Sequence, residues 1–171
     1  MTKKETFLEY KSLLFSIAYN MLGQVADAED VLQDTYEKWL RLDAAHVNNI
    51  KAYLVKTVTN TCINHLNKLK REKRDYIGPW LPEPIIASEK NLGAQAAEMF
   101  HPLSIGIMVM LEKLTPQERA VFLLKEIFVY DYDEIAEIIN KSNDNCRQIF
   151  KRAHQHLKDD KRRFEIDIKM Q

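Results

Sequence analysis

Apolar residues at Phe7, Leu8, Leu14, Phe15, Ala18, Tyr19 and Leu22 recur at the three-four spacing of an amphipathic helix, with Lys11 the one polar exception. Gly23 is expected to end that helix as its C-terminal cap. A second helix is expected to open at Asp27, with Asp30 at its third position, where a carboxylate suits free amides and the helix dipole. Ala28, Val31, Leu32, Thr35, Tyr36 and Trp39 form its inward stripe, which leaves Glu29, Asp30, Gln33, Asp34 and Glu37 outward. Leu42 to Asn49 reads as a loop, and Asn48 or Asn49 caps a third helix running from about Ile50 to about Arg74. There Ala52, Leu54, Val55, Val58, Cys62, Leu66 and Leu69 turn inward, while Lys51, Lys56, Thr57, Asn60, Asn64, Asn67, Lys68 and Arg71 occupy the other side. Three helices with short joints predict a small bundle.

Past it the pattern breaks. Tyr76-Ile-Gly-Pro-Trp-Leu-Pro-Glu-Pro84 places three prolines and a glycine in one short stretch. Proline fixes its own φ, removes a donor and pushes the preceding residue out of the helical region, so a stiff, extended connector is expected. A solvated spacer has no use for Trp80 and Leu81. Either Trp80 docks on its own domain, or Trp80, Leu81, Pro82, Glu83 and Pro84 form a docking strip for a further domain or a partner.

In the second half, Asn91 to His101 is weakly helical and Pro102 interrupts it. Ser104 is placed to start a helix carrying Ile107, Met108, Met110, Leu111 and Leu114. Thr115-Pro-Gln-Glu118 follows, with a threonine cap, proline at the first helical position and glutamate at the third, which makes a capping box. Val121, Leu124, Ile127 and Phe128 continue at helical spacing. Asp131-Tyr-Asp-Glu134 repeats the start signal for a short helix filled by Ile135, Ala136, Ile138 and Ile139. Asn140-Lys-Ser142 is a tight turn in which asparagine tolerates the left-handed conformation. Ser142 then caps a final helix with Cys146, Ile149, Phe150, Ala153 and Leu157 buried. A short helix, a three-residue turn and a helix with a basic outer face make a helix-turn-helix. Its groove-facing set, with the cap Ser142, is Asn143, Asn145, Arg147, Gln148, Lys151 and Arg152, in the turns where a recognition helix meets base edges and phosphates. The alternative is a plain helical hairpin with basic solvation.

Charge sharpens this reading. The net charge over 171 residues is zero, but the charges are segregated. Asp27 to Asp43 is acidic, while Lys51 to Arg74 and Lys141 to Arg163 are basic. Such segregation suggests an acidic face for a protein and basic faces for phosphates, against the alternative of long helices merely solvated by charge. A chain of this length makes one medium domain or two small ones, and its four glycines and five prolines favour long helices. The N-terminus lacks the apolar stretch of a signal peptide, the apolar run from Ile105 to Leu111 is too short to span a bilayer, and Cys62 and Cys146 suit reduced thiols. A cytoplasmic protein with no membrane contact is therefore expected. His65, His101, His154 and His156 have no metal-ligand spacing, and there is no glycine-rich phosphate loop. No catalytic residue, metal site or cofactor is expected.

Two duplex contacts and one acidic face suit a promoter-specificity subunit, and here the sequence resembles an extracytoplasmic-function sigma factor of bacterial RNA polymerase. Leu14-Phe-Ser-Ile-Ala-Tyr-Asn-Met-Leu-Gly23 with Asp27-Ala-Glu-Asp-Val-Leu-Gln-Asp34 is similar to the start of that family's second conserved region. Leu114-Thr-Pro-Gln-Glu-Arg-Ala-Val-Phe122, Asn145-Cys-Arg-Gln148 and Ala153-His-Gln-His-Leu157 are similar to its fourth. Trp80-Leu-Pro-Glu-Pro84 is similar to the linker of a subgroup that usually carries a fused SnoaL-like C-terminal domain.

The resemblance implies an all-α fold of two small helical domains joined by a proline-rich linker. Region 2 would occupy residues 1–75, the linker 76–101, region 4 residues 102–163, and a lead-in tail residues 164–171. Asp30, Gln33, Asp34 and Glu37 would grip the clamp helices of the largest subunit of core RNA polymerase. His46, Asn48 and Asn49 in the loop, with Lys51, Lys56, Asn60, Asn64 and Lys68 on the next helix, would recognise and open the −10 element. The helix after Ser142 would read −35, and the helix from Pro116 to Phe128 would lie near the polymerase flap. Because Phe164-Glu-Ile-Asp167 looks like the lead into the SnoaL-like domain, a truncated form lacking that domain is expected. The competing reading is a stand-alone helix-turn-helix regulator that binds duplex DNA without joining polymerase.

Overall fold

Thr2 starts the first helix by a reciprocal cap: its hydroxyl accepts from the Glu5 N–H at 3.1 Å, and the Glu5 carboxylate accepts from the Thr2 N–H at 2.9 Å. Helix α1 (Lys3–Leu22) ends at Gly23, whose φ of 75° is a conformation that costs a side-chain-bearing residue energy; its N–H closes on the Tyr19 carbonyl. In this computed structural model residues 1–72 and 109–170 are described, with side chains as far as Asp159. The strip Trp80 to Pro84, the segment Asn91–His101 and the start expected at Ser104 lie outside the described residues.

Helix α2 (Val25–Arg41) begins two residues before Asp27. Asp27 is therefore a first-turn carboxylate and not the cap, and its Oδ2 stands 3.7 Å from Nε2 of His65 on the next helix. Lys3 Nζ donates to the carbonyls of Trp39, Leu40 and Leu42, and Trp39 Nε1 donates back to the Lys3 carbonyl at 3.0 Å. A cation thus sits on the C-terminal carbonyls of α2, and the two helices run antiparallel. The expected loop contains one 3₁₀ turn, Ala44–His46, started by Asp43, whose Oδ1 accepts from the Ala45 N–H. Helix α3 (Ile50–Glu72) is capped by Asn49, not Asn48, through Oδ1 and the Ala52 N–H at 3.0 Å.

The second half follows its start signals closely. Thr115 and Glu118 form the capping box of α4 (Pro116–Phe122). The expected continuous helix to Phe128 widens at Leu123–Ile127 into a π turn, closed by Phe128 N–H on the Leu123 carbonyl at 3.1 Å. Helix α5 (Tyr132–Ile139) is capped by Asp131 and ends at Asn140, left-handed at φ 56° as its sequence predicts. Helix α6 runs from Asn143 to Met170, so the stretch expected to be a tail continues the recognition helix.

Among the described residues all regular structure is helical, and one core joins the two halves. Helix α3 packs against α4 and α5, and α1 touches α4 and the π turn. This explains a feature that a one-sided stripe misses: every residue from Leu14 to Leu22 is buried, with Ile17 and Met21 each only 1% exposed. Ser16 and Asn20 are its polar members, buried together with the Asn20 amide reaching the Ser16 hydroxyl, and the rest of the circumference is apolar. Toward its N-terminus α1 is one-sided, and Leu8, expected inward, is 51% exposed.

Candidate nucleic-acid interface

Helix α2 buries Ala28, Val31, Leu32, Thr35 and Trp39, which forces Asp30, Gln33, Asp34 and Glu37 to the opposite side, where all four are exposed. Asp30, Asp34 and Glu37 form an acidic row three and four residues apart, with Gln33 beside it.

The amide-and-base side of α3 is divided. His46, Asn48, Lys51, Lys56, Asn64 and Lys68 are exposed, with His46 Nε2 lying 3.5 Å from Asp43 Oδ2. Asn49 is exposed too, although its Oδ1 is used in the cap. Asn60 is half-buried: its Nδ2 donates at 2.8 Å both to the Lys56 carbonyl and to the Ile138 carbonyl on α5. Next to this bond Asn49, Lys51 and Lys56 form one wall of a cleft of about 570 Å³, and Tyr130, Glu134, Glu137 and Asn140 stand across it. The bases of α3 thus face the acidic edge of α5. The polar spacing along α3 alone carries no sign of this pairing, because its partners lie on a helix distant in the chain.

Buried charge marks the same seam. Arg119 on α4 is 3% exposed, and burial pulls its guanidinium down to about 10, with Glu112 and then Cys62 opposing the shift. Burial likewise pushes the Cys62 thiol on α3 well above its usual range.

On the recognition helix, Ser142 acts as the cap, its Oγ accepting from the Asn145 N–H at 3.1 Å. Arg147, Gln148 and Lys151 are exposed, and Asn143 and Asn145 are half-buried. Arg152 is exposed as well, but it lines a second cleft of about 500 Å³ with Ile63 and Asn67 of α3. Phe150 supports the helix from beneath through ring contacts with Phe122, Tyr132 and His154. Two residues outside the expected set adjoin Arg147 or its ring partner. Tyr132, at the start of α5, has the Arg147 guanidinium 4.5 Å from its ring centroid and Lys125 Nζ 4.4 Å from it. Neither an aromatic at a helix start nor a lone lysine in a π turn carries a sequence signature.

Among the described residues, no helix is long and apolar enough to cross a membrane, and no group of His, Cys, Asp or Glu is placed to hold a metal ion.

An all-helical fold that exposes a helix-turn-helix is that of a DNA-binding transcription factor. Comparison with known proteins agrees. Residues 6–72 match sigma-70 region 2, and residues 105–157 match sigma-70 region 4. The chain is similar to the ECF RNA polymerase sigma factor SigJ of Mycobacterium tuberculosis, with 33% identity over 144 residues, 82% of this chain and 45% of the relative. Similarity to SigW of Bacillus subtilis is 28% over 142 residues, covering 77% of this chain and 73% of that protein. The crystal structure of SigJ superposes with a TM-score of 0.69 at 30% identity, covering 90% of this chain and 52% of that one. The fold is also that of RpoE, solved with the anti-sigma factor NepR from Bartonella quintana, at a TM-score of 0.65 and 22% identity over 91% of this chain and 94% of that one. This chain belongs to the ECF RNA polymerase sigma factor family, whose members are transcription initiation factors and not enzymes. It spans about half the length of the mycobacterial relatives it matches.

Proposed function

We propose that the chain is an alternative sigma subunit that binds core RNA polymerase in the bacterial cytoplasm and directs it to particular promoters. The observation that carries this reading is the joint exposure, in one packed chain, of the acidic row on α2 and the Arg147–Gln148–Lys151 face on α6. In this reading Asp30, Gln33, Asp34 and Glu37 hold the clamp helices of the largest polymerase subunit, and α4 lies near the flap. The −35 duplex meets α6 in its major groove, where exposed cations and amides serve phosphates and base edges together. His46, Asn48 and Asn49, with Lys51, Lys56, Asn60, Asn64 and Lys68, take the −10 element, whose melting requires capture of an unstacked base.

Engaging −10 through Asn60 requires the halves to separate, because that amide is otherwise committed to Ile138. The strip Trp80–Pro84 is read as the docking element of the subgroup that carries a SnoaL-like domain, with such a domain as its partner. The test is to mix the purified chain with σ-free core polymerase, follow it by size exclusion, and select promoters with the assembled complex. One-to-one co-elution and enrichment of DNA bearing two spaced elements are expected. Failure to co-elute, with tight duplex binding by the free chain, would establish the stand-alone regulator instead.

A further inference from the structure

Arginine has many rotamers, and reading a base with it requires that one be selected in advance. Arg147 is held from two directions. Its guanidinium carbon lies 4.5 Å from the ring centroid of Tyr132, and its Nε donates to Asn143 Oδ1 at 2.7 Å. Asn143 is itself oriented, because its Nδ2 donates to Asp133 Oδ1 at 2.7 Å. A carboxylate only accepts, so Asp133 requires the amide nitrogen of Asn143. The amide oxygen is thereby left facing Arg147, and the reverse orientation would set oxygen against carboxylate and NH₂ against guanidinium.

We infer that Tyr132 and Asp133, on the helix before the recognition helix, are positioning residues that set Arg147 for base readout in the −35 element. The inference rests on the reading of α6 as the −35 helix and deepens it. The chain Asp133–Asn143–Arg147 uses the guanidinium's Nε and leaves its two terminal nitrogens as the planar fork, the geometry that matches O6 and N7 of a guanine. Asn143, which on sequence alone belongs to the groove-facing set, serves as a brace. The base pair read by Arg147 is a G·C pair.

The test uses the complex with core polymerase. Promoter selection first identifies the base pair whose preference Arg147→Ala relaxes, expected to be about tenfold for guanine over the alternatives. The same ratio is then measured for Tyr132→Phe, Tyr132→Leu and Asp133→Ala. Tyr132→Phe keeps the ring and should keep the preference. Tyr132→Leu and Asp133→Ala should each lower it toward the Arg147→Ala level at that base pair alone. Neither should lower it further when combined with Arg147→Ala, an outcome that a merely structural role would not give. Full preference in Tyr132→Leu and Asp133→Ala, alongside its loss in Arg147→Ala, would overturn the positioning role and leave the −35 reading standing. A loss spread evenly over all promoter positions would overturn it as well. Unchanged selection by Arg147→Ala would remove both the reading and the inference built on it.

Discussion

Asn60 Nδ2 donates at 2.8 Å to the carbonyl oxygen of Ile138, a residue 78 positions away in the other half of the chain. Ile138 lies in the last turn of α5, where carbonyls lack an intrahelical partner, so a side chain from α3 completes the end of a helix that it does not belong to. Removing that donor should cost the closed arrangement about 1 kcal/mol. Asn60→Leu is therefore expected to speed hydrogen exchange of the α5 amides about fivefold while the far side of α2 stays protected. Unchanged exchange in α5 would show that the bond contributes nothing to closure.

Asp34 lies in the middle of the acidic row and is exposed. Reversal to lysine should weaken binding to core polymerase about tenfold at low salt, less as salt screens the charges, with helicity unchanged. Titration of labelled core at two ionic strengths measures both. Core affinity equal to that of the unaltered protein would move the docking face elsewhere.

Lys125 stands beside the Tyr132 ring on the π turn, outside the recognition helix. A phosphate contact there would carry no sequence information. Lys125→Ala should lower affinity for every promoter alike and reduce the slope of log affinity against log salt by about 1, with base preferences intact. A slope identical to that of the unaltered complex would remove Lys125 from the interface.

Alkaline pH should destabilise the fold. Burial raises the Cys62 and Cys146 thiols above their ordinary 9.0, and burial with the nearby Glu134 raises the Tyr130 phenol above 10.0. From about pH 9 upward the unfolded chain has released protons that the folded chain keeps, so stability falls as pH rises. Arg119, lowered to about 10 by burial, acts in the opposite sense, and only from that pH upward. Urea midpoints should therefore drop between about pH 8 and about pH 10. Native Cys62 should resist iodoacetamide, because its thiolate is suppressed and its sulfur is inaccessible. Rapid native alkylation of Cys62 would contradict the seam geometry.

Local signals in the sequence located most helix ends, because each is set by chemistry within a few residues. Thr115 with Glu118, Asp131, Asn140 and Gly23 all stand where their side chains or backbone freedom require. Asp27 misled because a carboxylate suits a first turn as well as a cap, and in the fold it stands in the first turn of α2, 3.7 Å from His65 Nε2. The exposure of Arg147, Gln148 and Lys151 on one side of α6 was legible from the spacing of the polar residues along it. Their arrangement was not, because Tyr132 reaches Arg147, and Asp133 orients Asn143, only after α5 and α6 have packed. The pairing of Asn60 with Ile138 is of the same kind: an exposed-looking amide acquires its partner from tertiary structure alone.

The second half of α1, buried on every side, belongs to the cores of both halves at once. Were either half to melt alone, it would uncover apolar side chains of this stretch to water, a penalty of roughly 1.5–3 kcal/mol for each large one fully exposed. The free chain should consequently unfold in one calorimetric transition, its van't Hoff and calorimetric enthalpies equal, although its sequence reads as two domains on a string.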